Sequence, residues 1–176
     1  TIGAGSSLSV LEFSKDGNVL YVGIDGVGVY RITGINNVYK KADVAANITK
    51  TQIYSTSRAV TGIAVDQTNK QRVVVTLGNY GNTAYVFLSE NAASATSVST
   101  AAFKDVSGNL PKMPVYDAEI SIMDNKKVVL GTEYGIFSTS DITATPVVWA
   151  DDNSAVHPRV PVYEVRQRTF FPERRA

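Results

Sequence analysis

Cysteine is absent from the 176 residues, and histidine occurs once, as His157. These absences exclude thiol chemistry, cysteine-ligated metals and any multi-histidine metal site within the chain. Charge is scarce and balanced, with 17 Lys and Arg against 16 Asp and Glu. A nucleic-acid binder carries a basic excess and a disordered tail a large net charge, so neither class fits. No window approaches the roughly 18 consecutive apolar residues of a membrane span. No charged start followed by an apolar run opens the chain, so a signal peptide is expected to be absent or already removed. Helical patterning is nearly missing too; even the alanine-rich stretch from Asn91 to Ala102 is broken up by Ser and Thr. No motif implies a cofactor or metal. Gly3-Ala4-Gly5 has no helix after it to form a phosphate loop. Asp151-Asp152-Asn153 lacks the alternating spacing of a loop that wraps a cation, and is expected to be a turn.

What the chain does have is a repeat. Val19-Leu20-Tyr21-Val22-Gly23-Ile24-Asp25-Gly26, Val73-Val74-Val75-Thr76-Leu77-Gly78-Asn79-Tyr80-Gly81 and Val128-Val129-Leu130-Gly131-Thr132-Glu133-Tyr134-Gly135 line up. Each is a β-branched run, a glycine and a glycine-bearing turn, and each leads into a second apolar run. That is a hairpin signature. A second marker precedes each hairpin: Leu8 to Phe13, Val60 to Val65 and Val115 to Ile120. Pro114-Val115-Tyr116-Asp117 returns as Pro161-Val162-Tyr163-Glu164. Between the markers lie polar turns such as Ser14-Lys15-Asp16-Gly17-Asn18.

Each unit therefore predicts strand A, a polar turn, strand B, a glycine turn, strand C and a polar stretch ending in an aromatic strand D. The D candidates lie at Val38-Tyr39, Ala102-Phe103-Lys104 and Val147-Val148-Trp149. Four strands per unit of roughly 50 residues is the mark of a propeller. A β-sandwich shares the turn spacing, but two markers recurring in the same order argue against it. The expected fold is an all-β partial propeller of about three four-stranded blades plus the first strand of a fourth. Blades are expected at 8–57, 58–111 and 112–158, that strand at 159–169, and a basic, solvated tail at 170–176. Propellers close with about four to eight blades. The partners expected first are thus remaining blades, from the same polypeptide or from a partner chain.

The junctions Phe87-Leu88-Ser89-Glu90-Asn91 and Phe137-Ser138-Thr139-Ser140-Asp141 resemble degenerate Asp-boxes. The pattern is Ser/Thr-x-Asp/Asn-x-Gly-x-x-Trp, found in the propellers of sialidases, xyloglucan hydrolases and sortilin-type receptors. Ser89, Asn91 and Phe103, or Thr139, Asp141 and Trp149, would fill its roles; the box glycine is missing and both turns are lengthened. Val74 to Asn82, Gly108 to Tyr116 and Leu130 to Phe137 resemble propeller segments of large secreted Bacteroidetes proteins exported by the type IX secretion system. The resemblance implies a bacterial protein, secreted or on the outer cell surface.

In a blade with A innermost and D outermost, the B–C turns and D–A connections share one face. That face is the expected binding surface, and it collects Asp25, Asn79, Tyr80, Glu133 and Tyr134 from the turns. The connections add Arg58, Lys112, His157 and Arg159. Arg58, Lys112 and Arg159 suggest an anion-binding rim but are expected to be separate solvated residues. Asp117 and Glu164 occupy equivalent strand-A positions and could supply the two carboxylates of a glycoside hydrolase, although equivalence in a repeat is structural first. Tyr116 and Tyr163 are expected to pack between blades. With no catalytic set evident, the leading expectation is a non-catalytic propeller module, a scaffold or binding surface for protein or glycan. The alternatives are an Asp-box-type glycoside hydrolase with its catalytic pair split between these and other blades, and a receptor ectodomain.

Overall fold

The computed structural model describes residues 7–168. Gly3-Ala4-Gly5, Thr169 and the tail 170–176 lie outside them. Among the described residues, twelve strands form three four-stranded antiparallel meanders. The first sheet runs β1 (Leu8–Phe13), β2 (Val19–Ile24), β3 (Gly28–Thr33) and β4 (Thr49–Ser55). The second runs β5 (Val60–Val65), β6 (Val73–Leu77), β7 (Val86–Ser89) and β8 (Lys104–Asp105). The third runs β9 (Val115–Ile120), β10 (Val128–Thr132), β11 (Gly135–Thr139) and β12 (Ala150–Asp151). In each, spatial order equals chain order.

Side-chain alternation explains how the sheets stack. On β6, Val73, Val75 and Leu77 enter a core shared with Tyr21, Val29 and Ile53 of the first sheet. Val74 points the other way, into a core with Met113, Leu130, Phe137 and Trp149 of the third. A strand buried on both faces is a continuous apolar run, which Val73-Val74-Val75 provides. The marker glycines serve this stacking. A Cβ on Gly23 would stand 2.8 Å from Val60 Cγ1 of the next sheet, and one on Gly131 would stand 2.6 Å from the Val162 carbonyl oxygen. The inner strands can approach that closely only where no side chain intervenes.

The stacking has an open end. Leu11, Ile63 and Ala118 occupy the same slot of β1, β5 and β9, and their exposures are 55, 4 and 2 %. Leu8 and Phe13 repeat the contrast with their counterparts Val60 and Val65. The first sheet covers the second, and nothing among the described residues covers the first in that way.

Three sequence expectations are corrected. Strand D of the first unit is Thr49–Ser55, whereas Val38 and Tyr39 belong to an exposed insertion with 3₁₀ turns and a one-turn helix over Val44–Asn47. Tyr39 has no sheet to cover it, while Ile53 is buried. The stretch from Asn91 to Ala102 does contain one helical turn, Val98–Ala101, started by Ser97, whose Oγ accepts from the Thr100 amide. Residues 159–168 form no strand. They lie against the third sheet where the inner strand of a fourth would run, with the Val162 amide donating to the Thr132 carbonyl (2.9 Å), but have no partner strand to make a ladder.

Candidate binding face

The B–C turns and D–A connections meet at one end of the stack and are tied together by backbone bonds. The Gly26 amide donates to the Arg58 carbonyl (3.2 Å) and the Glu133 amide to the Pro114 carbonyl (3.1 Å). Asn79, held at φ 70°, accepts the Ala59 amide on Oδ1 at 2.9 Å. Arg58 is spent on the fold: it donates to the carbonyls of Gly78 (2.8 Å) and Ala84, and its guanidinium lies 4.5 Å above the Tyr85 ring. Arg159 pairs with Asp151 on the surface. Asp25, Lys112 and His157 are exposed, and the structure does not gather them into one group with the other rim residues. Three cations on successive connections therefore make no common anion site.

The rim residues that do converge are aromatic. Glu133 and Tyr134 form the tip between β10 and β11. The Tyr116 hydroxyl, from the start of β9, donates to Glu133 Oε2. Its ring lies 4.8 Å from that of Tyr163, centroid to centroid. Tyr80, from the β6–β7 loop of the neighbouring unit, lies near enough for it and the Glu133 carboxylate to shift each other's titration. These phenols, Tyr116 first and then Tyr80, hold the Glu133 carboxyl below its ordinary range. The nearby Glu133 carboxylate in turn pushes the Tyr80 phenol up to about 12. Tyr80 is 61 % and Tyr163 69 % exposed. The expectation that Tyr116 and Tyr163 pack between blades is thus corrected for Tyr163, which rests on Tyr116 but faces solvent. The repeated Pro-Val-Tyr could have shown this, since each tyrosine comes two residues after the start of its repeat, at the rim end.

The tip is rigid. The Tyr134 amide donates to Thr132 Oγ1 (3.1 Å), and that hydroxyl donates to the Gly135 carbonyl (2.8 Å). Asn153 Nδ2 donates to the Tyr134 carbonyl (3.1 Å), and the Ile136 amide donates to Asn153 Oδ1 (3.0 Å). Asp151 and Asn153 are therefore parts of a clasp on this hairpin, and no group of metal-ligating side chains occurs among the described residues.

Asp117 and Glu164 have other occupations. Asp117 is buried; Oδ1 accepts the Ala118 amide (2.9 Å) and Oδ2 the Val165 amide (2.9 Å), with Arg166 Nη1 at 3.2 Å. Glu164 is exposed and pairs with Arg166 Nε at 3.0 Å. Burial raises the Asp117 carboxyl. A second set of acids, missed in the sequence, lines the inner strands: Glu12 on β1 and Glu119 on β9 border a cavity of about 210 Å³ with Gln67, Arg166 and Gln167. Burial raises both carboxyls, with Arg166 opposing and Asp117 adding to the rise.

At the opposite end, the box-like turns act as closures. Asp141 Oδ1 accepts from the Thr143 amide (2.9 Å) and hydroxyl (2.6 Å), and Trp149 Nε1 donates to the Val106 carbonyl at 2.9 Å. Ser89 and Asn91 bond to each other and to the carbonyls of Ala101 and Thr100.

No family model and no curated protein matches the chain. Solved structures do. The GH74 enzyme of Niastella koreensis superposes with a TM-score of 0.58 at 17 % identity, over 85 % of this chain and 24 % of that one. The Cps50 (Swd1) β-propeller domain of Myceliophteria thermophila superposes with a TM-score of 0.55 at 16 % identity, over 85 % and 40 %. The fold is a partial β-propeller. Its three sheets are blades, and the chain spans less than half the length of either structure it resembles. Among the described residues no helix is long and apolar enough to cross a membrane.

Proposed function

We propose that the chain is part of a non-catalytic propeller module of a large exported bacterial protein, secreted or held at the outer cell surface, that binds protein or glycan on its B–C rim. One observation carries the reading: Glu133 and the tyrosines around it, from two blades and the segment beyond them, form a rigid, partly exposed aromatic patch. The Asp-box-like turns at the other end are consumed in closing hairpins, which leaves the rim as the working face. Further blades cover Leu8, Leu11 and Phe13, as the first blade covers Val60, Ile63 and Val65. A second copy of the chain does not suit that role, because residues 162–168 already fill the place on the third blade where the copy's β1 would lie.

The test is a ligand screen on the intact protein followed by Tyr80→Ala/Tyr163→Ala. Retention of the ligand is lost in that variant and kept in Lys70→Ala, at the opposite end. A second reading, glycoside hydrolysis, is favoured by Glu12 and Glu119, two carboxyls raised by burial on one cavity. Hydrolysis abolished by Glu119→Gln would replace the first reading with the second.

A further inference from the structure

Half of the sixteen carboxylates of this chain are matched by cations. Asp16, Asp66, Glu90, Asp117, Asp124, Asp141, Asp151 and Glu164 each have a Lys or Arg nitrogen within 4.0 Å. Glu133 is one of seven with none among the described residues, and it is the one set among tyrosines. Its charge is held instead by the Tyr116 hydroxyl, with Tyr80 beside it. We infer that the Glu133 patch is a binding site for an organic cation, the ammonium or guanidinium head of a ligand seated against Glu133 and the tyrosine rings. The inference rests on the rim being the binding face and names what the rim takes.

Two physical terms add with the same sign. The ring face of a tyrosine carries negative electrostatic potential, so a cation within about 6 Å of its centroid is attracted. An ionised carboxylate beside the rings attracts it further and accepts its N–H bonds. A neutral sugar uses neither term fully. It would stack on the rings and donate its hydroxyls to Glu133, but it brings no positive charge to either the carboxylate or the ring faces. The clasp of Thr132 and Asn153 fixes the tip before any ligand arrives, so little ordering cost opposes binding.

The test is saturation-transfer NMR on the intact protein with three separate probes: N-acetyl-lysine methylamide, tetramethylammonium and cellobiose. The expected result is transfer to the cations, weakened about tenfold by Glu133→Gln and reduced by Tyr163→Leu, with Lys126→Gln at the opposite end unchanged. Stronger binding of the lysine probe assigns the site to a side chain that donates hydrogen bonds; stronger binding of tetramethylammonium assigns it to a quaternary head. The inference is overturned if neither cation binds, or if both bind equally well to Glu133→Gln. Transfer to cellobiose alone, lost in Tyr163→Leu, would also overturn it while leaving the rim as the binding face.

Discussion

Gly62 and Asp117 are in contact across two blades: a Cβ on Gly62 would stand 2.9 Å from the Asp117 Cα. It would also stand 2.6 Å from Thr76 Oγ1, so both β9 and the glycine's own sheet crowd the site. Neighbouring inner strands touch here through backbone, and the Thr61 hydroxyl bridges them by donating to the Val115 carbonyl at 2.6 Å.

Gly62→Ala should therefore separate β5 from β9, at a cost of about 1–3 kcal/mol. Urea unfolding of the variant checks this. No destabilisation would mean that the inner strands are not packed this closely.

Glu12 gives a pH dependence with a definite sign. Burial raises its carboxyl, Arg166 lowers it, and Glu119 and Asp117 raise it again. The folded protein thus holds this proton more tightly than the unfolded chain. The group's contribution to stability is present below the ordinary carboxyl range and is lost as pH rises through the folded value. Glu12→Gln removes that loss. The variant should melt roughly 1–3 °C above the parent at pH 8, with the gap closing toward pH 4. A gap that widens on acidification would contradict it.

Leu11 and Ile63 form a matched pair. In the intact protein, Leu11→Ser should cost as much as Ile63→Ser, about 2–5 kcal/mol, because a further blade covers Leu11 as the first blade covers Ile63. In the 176-residue chain alone, Leu11→Ser should change stability by less than about 0.5 kcal/mol. Denaturant curves of both variants in both contexts make the comparison.

Trp149 is the sole tryptophan, and it bonds across the boundary between the second and third blades through the Val106 carbonyl. Trp149→Phe leaves that carbonyl without its donor and should cost about 1–3 kcal/mol. In the parent, emission should be blue-shifted and should move to the red when the two blades separate, which a fluorescence-detected melt records.

The hairpins were legible because Gly23, Gly78 and Gly131 mark points where no side chain is tolerated or useful, and β-branched runs flank them. The first D strand was not, because Val38-Tyr39 has the local composition of a strand and only the sheet's register selects Thr49–Ser55 instead. Residues 159–168 copy the inner-strand sequence yet make no ladder, since a strand needs a partner and the repeat supplies only half of one. Tyr80, Glu133 and Tyr134 were placed on the rim by topology alone. Their convergence with Tyr116 and Tyr163 was not legible, because alternation assigns a side of a strand and not a distance between blades. Glu12 and Glu119 share the fifth position of strand A, but Ala64 stands there in the second unit, and the acids come together only when the inner strands line one channel.

The central claim is that the rim around Glu133 is the working face. Hydroxyl-radical footprinting of the intact protein, with and without its ligand, tests it most directly. The ligand should protect Tyr80, Tyr134 and Tyr163 and leave Met123, exposed at the opposite end, fully reactive. Protection of Met123 with the three tyrosines unchanged would contradict the account.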